Sequence, residues 1–196
     1  MSKTQIPTGG LADDAVSEEH IDATVITAST ALAETPADTD ELLLSDAGTI
    51  KRIDFSHIKS SNTPRFYAYR NGTQSIANNT YTVVQFNAEN YDSDNTFDSS
   101  TNYRFTPAVS GFYFLHVNVA TDSESQHNYH ITIRKNGSAI ARGKVGNENR
   151  TSQGLTITIE SDTNDYFDAE VMQDSGGGRN ILGGSEYTWF TGFKLA

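Results

Sequence analysis

The side chains best able to do chemistry are scattered along this chain. His127 and His130 flank Asn128-Tyr129, but no third ligand follows at metal spacing, and a zinc site takes three or four donors. They read as ordinary strand and loop histidines, and His116, inside an apolar run, as a hydrogen-bonded one. The acidic run Asp92-Ser93-Asp94-Asn95-Thr96-Phe97-Asp98 departs from the EF-hand pattern: Thr96 stands where Asp or Asn is required, and no Gly follows. It reads as a solvated loop, with a bound calcium ion the alternative. Gly176-Gly177-Gly178-Arg179 has the amides to cradle an anion but reads as a hairpin tip. There is no Gly-x-Ser-x-Gly elbow and no Walker loop. Acidic residues are plentiful, yet no pair stands out for glycoside cleavage. The expectation is no catalytic residue, no cofactor and no metal. Asn71, Asn78, Asn136 and Asn149 each begin an N-x-Ser/Thr sequon, read as chance matches without a secretion signal. Tyr91, Tyr103, Tyr129 and Tyr187 are the rings that could stack on a sugar.

The positioning elements must come from 196 residues carrying a net charge of −11 and no Cys. Without Cys there is no disulfide framework, thiolate zinc site or cysteine nucleophile. The acidic balance opposes a sequence-independent grip on nucleic acid, which needs clustered Lys and Arg. No apolar run approaches the ~20 residues that span a bilayer, so no membrane insertion is expected. Met1-Ser2-Lys3-Thr4-Gln5-Ile6-Pro7 lacks the apolar stretch of a signal peptide. A soluble protein made without ordinary secretion is expected.

The chain has two unlike parts. Of twenty aromatic side chains only Phe55 lies in residues 1–60. Large rings build packed cores, so the core belongs to residues 64–196. Residues 1–60 are acidic and poor in large side chains; disorder is one expected outcome, ordering against a partner or identical copies the other. Their apolar anchors are Val16, Ile21, Val25, Leu42, Leu44, Ile53 and Phe55. Ser17 could cap a short helix starting at Glu18, while the β-branched run Ala23–Thr27 weakens it. Residues 40–55 read as strand, Ser45-Asp46-Ala47-Gly48 turn, and strand. Ser60-Ser61-Asn62-Thr63-Pro64 reads as a linker.

Beyond the linker the pattern is all-β. Strands are expected at Phe66–Tyr69, Thr80–Phe86, Tyr103–Pro107, Phe112–Val119, Tyr129–Lys135, Ser138–Ala141, Leu155–Ile159, Phe167–Val171 and Tyr187–Leu195. Asn136-Gly137 is the strongest hairpin signal among the turns. Eight or so strands with regular turns imply a sandwich or jelly roll. In residues 112–119 one face carries Tyr113, Leu115, Val117 and Val119, yet the other begins with Phe112 and Phe114 before His116 and Asn118. A strand with one wet face should be polar on alternate residues. Trp189 and Phe190 repeat the anomaly. The second apolar face needs a cover, and another subunit is the simplest one.

These residues resemble the globular head family of complement C1q, related in fold to tumour necrosis factor. The resemblance rests on Phe105-Thr106-Pro107-Ala108-Val109-Ser110-Gly111-Phe112-Tyr113-Phe114 and on Arg134-Lys135-Asn136-Gly137. It also rests on Leu155–Ile159 with Asp165 and Tyr166–Val171, and on Phe190-Thr191-Gly192-Phe193-Lys194-Leu195. The chain departs from the family in Gly176-Gly177-Gly178 and in having no collagen-like repeat. The resemblance implies a ten-stranded jelly-roll sandwich assembling as a homotrimer. It places Phe114, His116 and Phe190 near the three-fold axis, with Phe112 beside them.

Gly10–Ile21 and Leu42–Asp54 resemble segments of tailed-phage fibre and virion proteins, of the marine phage type. The implied protein is non-enzymatic: an extended segment, residues 1–60, docks on other virion proteins and carries a knob, residues 64–196. A short tail fibre or tail-tip protein for host-surface attachment, with a host surface glycan as partner, is the leading expectation. A capsid or neck decoration protein is the alternative, a free C1q-like soluble lectin the second, and a carbohydrate-cleaving enzyme the third. The expected location is the virion, assembled in the host cytoplasm.

Overall fold

The structure, a computed structural model, describes residues 23–58, 62–122, 127–148 and 152–195. Two compact units result, Met1–Lys59 and Ser60–Ala196. Val16, Ser17, Glu18 and Ile21 lie outside the described residues, as does the side chain of Val25.

In the first unit the β-branched run forms one helical turn, α1 (Thr24–Thr27). The sequence argued against a helix there. The Thr27 hydroxyl bonds back to the Ala23 carbonyl at 3.2 Å, alongside the Thr27 amide at 3.0 Å; such back-bonding competes with the helical ladder, and the helix stops after one turn. The hairpin follows as β1 (Glu41–Asp46) and β2 (Thr49–Asp54). Its loop is tighter than the four-residue turn expected. Ser45 and Asp46 stay in the strand, and Ala47 and Gly48 make the turn with φ of 50° and 84°, the both-positive pair that matches strand twist. Arg52 pairs with Glu41 at 2.9 Å, and Lys51 pairs with Asp46.

The second unit is a two-layer jelly roll. Its strands are β3 (Arg65–Tyr69), β4 (Gln74–Ile76), β5 (Thr82–Val83), β6 (Ala88–Asp92), β7 (Phe97–Asp98), β8 (Arg104–Phe105) and β9 (Gly111–Ala120). After them come β10 (His127–Lys135), β11 (Ser138–Glu148), β12 (Ser152–Ser161), β13 (Phe167–Gln173), β14 (Arg179–Ile181) and β15 (Trp189–Lys194). Ten of the thirteen have three residues or more. One sheet runs β12-β9-β15-β3-β6; the other runs β11-β10-β13-β8-β7, with β5 beside β13. A small pair, β14-β4, stands apart. Asn136 and Gly137, with φ of 52° and 77°, turn β10 into β11, as the dipeptide demanded.

The core lies between the sheets. Tyr113, Leu115, Val117 and Val119 of β9 point inward and are at most 2% exposed. Phe66 stacks on Phe105 at 4.4 Å and meets Phe190 edge-on at 5.0 Å. Burying each such side chain contributes roughly 1.5–3 kcal/mol. The expected strand over residues 80–86 is mostly irregular. Only Thr82–Val83 pair with β13 before the chain turns to plug Val84 and Phe86 into the core.

The acidic loop is exposed at Ser93, Asp94 and Asn95, and its flanking carboxylates are tied to the backbone. The Asp92 carboxylate accepts from the Asp94 amide at 3.3 Å, the Thr96 hydroxyl at 3.0 Å and the Phe97 amide at 2.7 Å. Asp98 accepts from the Thr101, Ser100 and Asn102 amides and from the Ser100 and Asn102 side chains. Those donors, the Thr101 amide foremost, hold the Asp98 carboxyl well below the usual carboxylate range.

Candidate functional site: an aromatic sheet face

The outward face of the five-stranded sheet follows from strict alternation. With Tyr113, Leu115 and Val117 pointing in, Phe112, Phe114, His116 and Asn118 point out. On β15 the fully buried residue is Phe190, so Trp189, Thr191 and Phe193 point out. Tyr67 and Tyr69 share that face on β3, where Phe66 and Ala68 are buried.

Register then brings the rings together. Phe193 lies opposite Phe114, and the rings stack at 5.1 Å. His116 stacks on Trp189 at 4.8 Å, and Trp189 stacks on Tyr67 at 5.4 Å. Tyr91 of β6 ends the row, 6.1 Å from Tyr67. Phe112 is 56% exposed and Tyr91 49%. Large rings left this open in a contiguous row mark an interaction surface.

Polar groups on the face are tied down. His116 Nδ1 lies 2.6 Å from Thr156 Oγ1 on β12, and burial pulls its pKa down, so the ring rests neutral. Tyr67 donates to the Ser185 carbonyl at 2.7 Å, and burial, with Tyr91 and Glu186 nearby, raises its pKa. Asn118 donates to the Tyr187 carbonyl at 2.6 Å. Gly192 lets β15 lie close: a Cβ there would sit 2.6 Å from the Leu115 side chain and 2.9 Å from the Phe114 carbonyl.

The face corrects one expected interface residue. Phe190 is fully buried inside its own subunit, against Phe66, Phe86 and Phe97. Its side chain cannot meet a neighbouring copy; pleat alternation puts it on the opposite side from Trp189. Phe112, Phe114 and His116 share the outward face. The partners the sequence reading missed are Trp189, Phe193 and Tyr67. Taking the residues one position away from each buried residue on β3 and β15 would have found them.

In the first unit, Leu42 and Ile53 are paired and share a hairpin face with Leu44. Leu42 is exposed; Leu44, Ile53 and Phe55 are half-buried. Leu42 and Phe55 line a shallow groove with Leu32 and Pro36. Leu43 and Ile50, outside the expected anchor set, are 80% and 76% exposed.

The other expected groups do not converge. His130 contacts the Tyr81 hydroxyl at 3.3 Å. Among the described residues no group of three His, Asp or Glu is placed to hold a metal ion. No helix among them is long and apolar enough to cross a membrane. Of the four candidate sugar-stacking tyrosines, Tyr129 is only 2% exposed and is a core residue. Tyr103 is half-buried, while Tyr91 and Tyr187 are exposed.

Two sheets in this order, with a Gly-spaced aromatic last strand at the middle of one, define a jelly roll of the C1q and tumour necrosis factor class. A family model for the C1q domain matches residues 65–195, and the chain belongs to that family. The globular domain of zebrafish complement 1qA protein shares 18% identity, covering 68% of this chain and 98% of its own, with a TM-score of 0.50. Murine APRIL at pH 8.0 shares 12%, covering 67% and 98%, with a TM-score of 0.51. Both similarities concern the fold. No curated protein matches the chain. Domains of this class typically form homotrimers and are generally not enzymes.

Proposed function

We propose that this chain is a non-enzymatic virion structural protein of a tailed phage. Its C1q domain forms a homotrimeric knob through the aromatic sheet face, and residues 1–60 dock it to other virion proteins. In this reading the knob belongs to a short tail fibre or tail tip and serves attachment to the host surface. The virion assembles in the host cytoplasm. The observation that carries the trimeric knob is the row of Phe112, Phe114, Phe193, His116, Trp189 and Tyr67, exposed or half-buried on a single copy. The docking role draws on Leu42–Asp54, whose hairpin leaves Leu43 and Ile50 uncovered within its own unit. A hairpin of this size is marginal alone in water.

Electron microscopy of particles with gold-labelled antibody against the chain tests the role. Label at the tail tip supports attachment. Label over capsid or neck replaces that role with decoration, and particles without label overturn the virion reading.

A further inference from the structure

We infer that the jelly roll carries a binding site for one neutral sugar unit at the pole remote from its first residue. The inference names a site for the attachment role and rests on that reading for its biological sense. The site is a cavity of about 490 Å³, in the range of small-ligand pockets.

Register fixes its place. Arg65, the first residue of β3, lies beside Phe193, and Phe193 beside Phe114; these mark one pole. Tyr69 lies beside Trp189, Trp189 beside Asn118, and Ser152 opposite Ala120; these mark the other. The ends of β9, Gly111 and Ala120, are nine steps and so about 30 Å apart at ~3.3 Å per residue. The cavity sits at the second pole, where the β3–β4 loop, the end of β9, the start of β12 and the β14–β15 loop meet.

The lining has the chemistry of saccharide recognition. Its described lining residues are uncharged: they include Thr73, Thr121 and Ser152, two glycines, and the Tyr187 ring. Tyr187 is 46% exposed, so its face is open to a ligand. Its backbone is fixed by the Asn118 amide on its carbonyl at 2.6 Å and by its own amide on Gly184 at 3.0 Å. A fixed half-open ring stacks on a sugar face, and nearby hydroxyls bond the sugar's own. Gly183 and Gly72 form the floor in direct backbone contact. A Cβ on Gly183 would sit 2.3 Å from the Gly72 backbone, so only glycine lets the two loops pack this closely beside the cavity. Among the described lining residues there is no cation to meet an anionic sugar, so the neutral sugar is the ligand we infer.

The test is saturation-transfer NMR on the full chain with the methyl glycosides of glucose, galactose, mannose and N-acetylglucosamine, and with methyl glucuronoside as the charged probe. At least one neutral glycoside binds, the glucuronoside does not, and Tyr187→Ala weakens binding about tenfold. Thr73→Val, on a different loop, also weakens it. Each variant keeps the thermal midpoint and solution mass of the parent, which separates loss of the site from loss of the fold. No binding by any neutral glycoside, preference for the glucuronoside, or unchanged binding in both variants overturns the site. A failed sugar test with an intact trimer leaves the knob standing; absence of the trimer removes the attachment reading itself.

Discussion

The two outward faces of the jelly roll differ in how they satisfy themselves. On the six-stranded sheet, Arg134 grips both Asp168 oxygens at 2.6 and 2.8 Å and Glu170 at 3.1 Å. The Asp168 carboxylate raises the pKa of that guanidinium. Arg142 donates to Thr132 at 3.2 Å and lies 4.9 Å over the Tyr81 ring. That face closes its polar groups on one another. The outward face of the five-stranded sheet presents rings stacked side by side, half-buried along the row and exposed at Phe112 and Tyr91. Within one fold, a face whose charges pair with one another needs no neighbour, whereas an aromatic one gains by being covered. The five-stranded sheet is therefore the face proposed above for assembly.

Substitutions on these faces break or sharpen the contrast. The largest effect falls on the inward side of the aromatic sheet. Phe190→Ala costs about 3–5 kcal/mol, read as a loss of chemical-denaturation stability that accompanies a change in fold rather than in assembly alone. On the networked face, Arg134→Ala leaves Asp168 and Glu170 as buried uncompensated carboxylates and costs about 3 kcal/mol. The same denaturation curves measure it, and restoring neutrality with Asp168→Asn and Glu170→Gln recovers part of the loss.

A smaller effect appears on acidification. The folded-state pKa of Asp98 is depressed below its unfolded value. Its stabilisation is therefore full above the ordinary carboxylate range and is lost as pH falls through the folded pKa. Thermal midpoints of Asp98→Asn, followed from neutral pH downward, fall less steeply than those of the parent; parallel curves would show that the Asp98 cluster adds nothing.

Much of the fold was legible because apolar alternation is periodic. The core strands β9, β10, β12, β13 and β15 announce themselves through Tyr113-x-Leu115-x-Val117 and its equivalents. The segments the sequence hid are those without that period. Strand β6 is polar and exposed, apart from half-buried Ala88 and Asp92; β11 runs past Ala141 through Gly143 and Lys144. Their strand character comes from pairing with neighbours, which local residue types do not encode. The aromatic face was half legible. A strand with rings on both sides points to a second buried surface, but which of two adjacent rings faces out depends on register, and a one-residue error inverts it. That is how Phe190 stood in for Trp189 and Phe193. The network of Arg134 went unread because its partners lie more than thirty residues away.

The central claim is that copies of this chain cover one another's aromatic face. Native mass spectrometry of the full chain beside the double variant Phe114→Glu with Phe193→Glu tests it most directly. The account predicts a trimer for the parent and a monomer for the variant, with each variant copy still folded by circular dichroism. A parent that stays monomeric across the concentration range, or a variant that remains trimeric, contradicts it.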